Sequence, residues 1–199
     1  WGGKFLRSPD IYWTAIEKAG QRLEQLGAIA QVEGYIHDNN TGEKYPEVKF
    51  VKSVKDLACI SLTEDSPAIM KYGVKSTGNS RHVAPILFPR TFGSRHLIPW
   101  NSGSVFGKEF YKVIPEDQEF VVSIVAQLNS TFGILQRELI GLTNLGEGAI
   151  KFCGDDIELF LILRDLDSDV LWDPFIRLAE RPILDMPDEL VQSDRRELD

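Results

Sequence analysis

The chain has 199 residues, 43% of them hydrophobic and 26% charged, with a formal net charge of −8. That length suits one domain or one and a half, and the composition is that of a soluble globular protein able to build a core. No apolar run approaches the roughly 20 residues that span a bilayer, no signal peptide opens the chain, and two distant cysteines without a CxxC, Cys59 and Cys153, point to buried thiols in a reducing cytoplasm rather than a disulfide or metal site.

Ile11, Tyr12, Ala15, Ile16, Ala19, Leu23 and Leu26 recur close to helical spacing and predict a helix over 11–26, with Ser8-Pro9 at its start and Gly27 as its stop. Ala28 to Val32 reads as a strand, and His37 to Gly42, dense in turn formers, as a loop. Val48 to Val51 and Leu57 to Leu62 are further short strands. From Ser76 to Ser104 the chain is punctuated by Gly78, Pro85, Pro89, Gly93, Pro99 and Gly103, so the apolar runs 83–88 and 97–100 read as short strands between turns. Phe110 to Ile114 is another, ended by Pro115. Residues 118–140 carry the best helical pattern, at Val121, Val122, Val125, Leu128, Phe132, Leu135 and Leu139, with Asn129-Ser130-Thr131 placed to interrupt it. A Gly-rich loop follows over 141–148, then a strand at 150–152, an apolar run at 157–163 too short to assign, and an acidic stretch of turns and short helices from Asp165. These elements predict an α+β fold: an irregular, mostly antiparallel sheet, a long helix and a C-terminal helical extension.

Charge is unevenly distributed. Lys71, Lys75, Arg81, Arg90, Arg95, Lys108 and Lys112 face a single acid, Glu109, between residues 71 and 112, a net +6 in a chain whose remainder carries −14. Such an island suits a polyanion, nucleic acid above all, or else is a chance cluster on a solvated loop. Within it, Lys75-Ser76-Thr77-Gly78-Asn79-Ser80-Arg81-His82 and Arg90-Thr91-Phe92-Gly93-Ser94-Arg95-His96 mix cations, hydroxyls and an amide on turns. Arg and Lys suit phosphates and guanine edges, Asn suits adenine edges, and hydroxyls suit phosphates. The candidate DNA contacts are Lys71, Lys75, Ser76, Thr77, Asn79, Arg81, Arg90, Arg95, His96 and Lys108. Phe92 and Trp100 either pack on sugars or bases or belong to the core. Asn129, Ser130 and Thr131 either reach DNA or satisfy buried backbone groups.

No catalytic set can be assembled. There is no G-x-S-x-G and no phosphate loop of the Walker type. His37, His82 and His96 lack metal-ligand spacing. Asp155-Asp156 reads as a helix cap before a carboxylate metal site, and Gly146-Glu147-Gly148 as a plain turn before half a phosphate loop.

Several segments resemble one family. Trp1-Gly2-Gly3-Lys4-Phe5-Leu6-Arg7-Ser8-Pro9-Asp10-Ile11-Tyr12 is similar to the stretch that follows the catalytic domain in bacterial N6-adenine DNA methyltransferases of restriction–modification systems, some of them fused to endonucleases. Leu26 to Val32 resembles the opening strand of their target-recognition domain, Phe88 to His96 their Pro-Arg…Arg-His segment, Ala126 to Thr131 with Leu145 to Ala149 their Leu-Asn-Ser helix and Gly-rich turn, and Asp194 to Asp199 the start of a further helical segment. The resemblance runs nearly end to end. It departs after Gly34, where the family's Gly-x-x-Thr-Gly-x-Asn turn is replaced by Tyr35-Ile36-His37-Asp38-Asn39-Asn40-Thr41-Gly42.

The resemblance implies a connector helix over 1–27, a target-recognition domain over 28–164 and a truncated C-terminal helical extension over 165–199. Both ends have the look of cuts in a larger protein. The family's Asn/Asp-Pro-Pro-Tyr/Phe motif and the glycine turn for S-adenosylmethionine are absent, so no cofactor is expected in this chain and catalysis is expected in an upstream methyltransferase domain of the same polypeptide. The implied partners are double-stranded DNA and that upstream domain, with no membrane, in the cytoplasm. On this reading Arg90→Ala with Arg95→Ala abolishes duplex binding while the fold survives. The competing reading is a protein-interaction or scaffold module, favoured by the −12 carried by residues 116–199.

Overall fold

The computed structural model describes residues 8–78, 81–142 and 149–199. Helix α1 (Asp10–Ala19) starts after Pro9, whose φ of −68° suits helix entry, and stops at Gly20, which takes a φ of +58°. The helix expected to run to Leu26 is therefore shorter. Leu23 instead enters strand β1 (Leu23–Gln25), and Leu26 is fully buried in a 3-10 turn.

The main sheet has the order β2 (Ala30–Glu33), β10 (Phe110–Pro115), β6 (Ile86–Pro89), β8 (Trp100–Asn101) and β4 (Ser61–Leu62). Its pairs are antiparallel apart from β4 with β8. Of β10 every residue but Ile114 is buried, as befits a strand covered on both faces. A second sheet joins β5 (Met70–Gly73), β3 (Glu47–Val51) and β9 (Phe106–Gly107). Two-stranded ladders pair β1 with β12 (Leu161–Leu163), and β7 (Thr91–Phe92) with β11 (Ile150–Lys151). The architecture is α+β and mostly antiparallel. Strands β6 to β8 are short because the prolines and glycines of 78–103 keep ending them.

The 118–140 pattern is interrupted where Asn129-Ser130-Thr131 falls. Helix α2 (Val121–Asn129) ends and α3 (Thr131–Ile140) begins at Ser130, whose backbone is extended. The Ser130 hydroxyl donates to the Gln127 carbonyl at 2.7 Å and accepts the Gly133 N–H at 3.1 Å, so one side chain closes one helix and caps the next. Gly133 is needed there, since a Cβ would lie 2.3 Å from the Leu128 carbonyl oxygen. Asn129, fully buried, accepts the Ile98 N–H at 3.0 Å and donates to the carbonyls of Ile98 and Val125, both at 2.9 Å. The Leu-Asn-Ser segment thus satisfies buried backbone groups.

Helix α4 (Gly154–Glu158) is capped by Asp156, which accepts the Cys153 N–H at 2.9 Å. Among the described residues no cluster of His, Cys, Asp and Glu could hold a metal ion. Helices α5 (Ser168–Glu180), α6 (Met186–Glu189) and α7 (Ser193–Leu198) complete the chain, and Leu171, Phe175, Leu178, Ile183 and Leu198 join the same buried cluster as the main sheet. Phe92 is core, packed edge-on to Phe88 and Phe152, and Trp100 is half-buried against Trp172 and Phe175. The expectation of two buried thiols fails for Cys153, which is exposed because it precedes a surface helix; Cys59 is partly buried, and both are free. No helix of the described residues is long and apolar enough to cross a membrane.

Candidate nucleic-acid interface

The turn-rich segment after β2 forms a 3-10 turn (Asp38–Asn40) that is pinned down at several points. The Gly42 N–H donates to the Gly73 carbonyl at 2.9 Å, the Lys75 N–H to the Asn40 carbonyl at 2.9 Å, and the Tyr45 hydroxyl to the Asn39 carbonyl at 3.1 Å. Gly73 allows this approach, because a Cβ there would stand 2.1 Å from the Gly42 oxygen. The loop is thereby fastened to the end of β5 and brought beside three parts of the basic island.

At its base lies Tyr35. Its ring is 4.6 Å from that of His37 and meets Tyr111 edge-on at 5.6 Å. The Arg90 guanidinium lies over it, 4.5 Å from the centroid. Arg90 sits between β6 and β7, with its N–H bonded to the Glu109 carbonyl at 2.9 Å and its carbonyl accepting the Phe152 N–H at 3.0 Å. At the tip of the loop Asp38, 86% exposed, makes an ion pair with Lys108. The Lys108 hydrogen bond, then the charges of Lys108, His37 and Lys52, hold the Asp38 carboxyl below its ordinary range. Lys52 adjoins through its carbonyl, which accepts the Glu109 N–H at 3.1 Å. Arg90, Lys108, Lys75 and Lys52, from separate stretches of sequence, are thus gathered around one exposed loop that itself carries His37.

Other members of the island lie elsewhere. Lys71, exposed on β5, stands opposite Lys49, which is paired with Glu64. Ser76 and Thr77 are exposed just beyond β5, and Asn79 lies outside the described residues. Arg81 is exposed, with its guanidinium 2.9 and 3.1 Å from His82 Nε2. Lys112, counted in the island's charge, is buried and paired with Glu33 at 3.0 Å.

Arg95, half-buried, donates to the Leu57 carbonyl at 2.8 Å and the Lys55 carbonyl at 3.3 Å, tying down the chain before β4. One candidate is corrected. His96 has no exposed surface. It stacks on Phe92 at 5.2 Å, and its Nε2 lies 2.8 Å from the Leu128 carbonyl, so that nitrogen carries the proton. Burial, with Arg137 nearby, pushes its imidazole well below the ordinary value. An imidazole so enclosed cannot touch a duplex. The apparent unit Arg90 to His96 is split, because β7 turns the chain into the core between its two ends. Sequence reasoning overlooks Tyr35, His37 and Lys52: only the turn composition of 37–42 marks the place, and nothing local shows that Arg90 will settle on Tyr35.

No protein-family model and no curated protein matches the chain. Among solved structures, 16 chains match. One is the type IIG restriction endonuclease BpuSI, 14% identical, with a TM-score of 0.69 over 96% of this chain and 30% of that one. The two share a fold. The chain spans about 30% of the length of that enzyme.

Proposed function

We propose that this chain is a DNA target-recognition domain whose duplex-facing surface is the Tyr35–Gly42 loop with Lys52, Lys75, Arg90 and Lys108 around it. The observation that carries this reading is the convergence of cations from separate segments on one exposed, aromatic-based loop in a protein of net charge −8. Lys71, Ser76, Thr77 and Arg81, exposed on β5 and in the segment beyond it, extend the same role. The shared fold with a type IIG restriction endonuclease supports it, as do the family-like segments at Leu26–Val32 and Ala126–Thr131. In this reading the parent polypeptide is a bacterial, cytoplasmic adenine-N6 DNA methyltransferase of a restriction–modification system. Its upstream domain holds S-adenosylmethionine and the flipped adenine, and this domain holds the surrounding duplex.

The test is titration of a labelled mixed-sequence duplex at several salt concentrations. Binding is expected to weaken steeply with salt. Lys52→Ala with Lys108→Ala should lower affinity and flatten the log–log salt slope by about 2, at roughly 0.9 for each phosphate no longer neutralised, with the unfolding midpoint little changed. A chain that ignores duplex DNA at low salt, or a double variant that binds as tightly as the parent, overturns the proposal.

A further inference from the structure

We infer that Arg90 reads a base rather than a phosphate, and that its target is the major-groove edge of a guanine; the inference rests on the DNA-binding reading above. Arg90 is the pre-positioned cation of the surface. Its backbone is fixed on both sides, by the Glu109 carbonyl and the Phe152 N–H. Its guanidinium lies on the Tyr35 ring, which is braced in turn by Tyr111 and His37. Among the described residues that guanidinium has neither an ion pair nor a side-chain hydrogen bond, its partner being the ring. Other island cations are engaged differently: Lys108 with Asp38, Lys112 with Glu33, Arg95 with two carbonyls, Arg81 with His82.

A guanidinium stacked on an aromatic face keeps its in-plane N–H donors free. Two parallel donors match two acceptors side by side, as in a phosphate or in O6 and N7 of guanine. Phosphate binding needs only a charge within reach, which a lysine on its flexible stem supplies. A planar fork held over a ring can also grip a phosphate, but a charge alone suffices there, whereas bidentate readout of a base edge requires the fork, because the wrong base leaves a donor unmatched. Tyr35 is then a positioning residue, acting through the guanidinium it supports.

The experiment is selection of bound sequences from a pool of randomised duplexes by the intact chain, repeated with variants. The wild type should enrich a site with one strongly preferred guanine, and replacing that base by 7-deazaguanine, which lacks N7, should weaken binding. Arg90→Lys keeps the charge and loses the fork. It should erase the preference and weaken binding to the selected site roughly five- to hundredfold, while the salt slope on unrelated duplex stays. Tyr35→Leu should act alike and Tyr35→Phe should restore the preference, which a merely electrostatic role of Arg90 would not give. If Arg90→Lys keeps the guanine preference, or Arg90→Ala weakens all sequences evenly and lowers the salt slope by about 0.9, Arg90 is a phosphate ligand and the inference fails. Duplex binding without any base preference also overturns it while leaving the DNA-binding reading intact. Absence of all duplex binding overturns both.

Discussion

His96 is enclosed between the Phe92 ring and the end of α2, with Nε2–H spent on the Leu128 carbonyl and Nδ1 without a partner among the described residues. It folds as a neutral ring, since burial and the neighbouring Arg137 and Arg195 oppose a second proton. In the unfolded chain it titrates near its ordinary value of about 6.5. Below that pH the unfolded state binds the extra proton and the folded state does not, so stability falls as pH drops from about 6.5 toward the depressed folded value. Urea midpoints between about pH 7.5 and 5, a window that brackets the unfolded value, should show this fall, and His96→Gln, which keeps a donor for Leu128, should flatten it. An identical pH profile in the variant would place the acid sensitivity elsewhere. Arg95, half-buried, likewise spends donors on the fold, bonding the Leu57 and Lys55 carbonyls.

At the scale of elements, β12 shows how a three-residue strand survives. It pairs with β1 on one side through the register Leu23 to Leu163, Glu24 to Ile162 and Gln25 to Leu161. On the other side two glutamine side chains act as a substitute strand. The Gln136 amide accepts the Leu161 N–H at 2.6 Å and donates to the Leu161 carbonyl at 3.0 Å. Gln127 does the same for Leu163, at 2.7 and 3.1 Å. The two lie on successive helices, α2 and α3, and the break at Ser130 lets both reach the strand. Gln136→Leu leaves an N–H and a carbonyl unmatched beside the core and should cost about 2–4 kcal/mol, read as a lower urea midpoint. A cost below about 0.5 kcal/mol would mean that water replaces the amide.

At the scale of the whole molecule, the acidic C-terminal stretch is part of the main core, and an ionic cluster holds it there. Glu189 and Arg195 have no exposed surface; Arg195 donates to Glu189 at 2.9 Å and to the Asn129 carbonyl at 2.5 Å. Arg181 bridges Glu189, at 2.8 and 3.0 Å, and Asp194. Burial works against the Glu189 carboxylate, but hydrogen bonds from Arg181, the Leu184 N–H and Arg195 outweigh it and lower its pKa, and Asp194 is lowered chiefly by Arg181. Both therefore stabilise the fold above the ordinary carboxylate range, and that contribution disappears as pH falls through their depressed folded values. Glu189→Gln strands Arg195 in the interior and should cost roughly 3–5 kcal/mol, seen in the denaturant midpoint. The same network fastens residues 181–195 to the core, so 116–199 carries its net −12 without being a solvated tail.

What can be read in the sequence is what short-range physics controls. Gly and Pro mark where strands stop, the helical period marks the helices around 121–140, and the turn composition of 37–42 marks a loop; these are properties of a residue and its near neighbours. The α+β class follows from them. The candidate surface is legible only as an excess of charge, because each cation's role depends on partners far along the chain. Lys112 meets Glu33 from 79 positions away, Arg95 meets Leu57 from 38, and Arg90 meets Tyr35 across the fold. Residues 71–112 contain the cations but few of the groups that engage them. Only the packing of β6, β7 and β10 decides that Arg90 faces the loop while His96, a few positions on, faces the core. Composition determined that a basic region exists; tertiary structure decided which of its charges remain available to a ligand, because pairing and burial are set by contacts that sequence neighbours do not make.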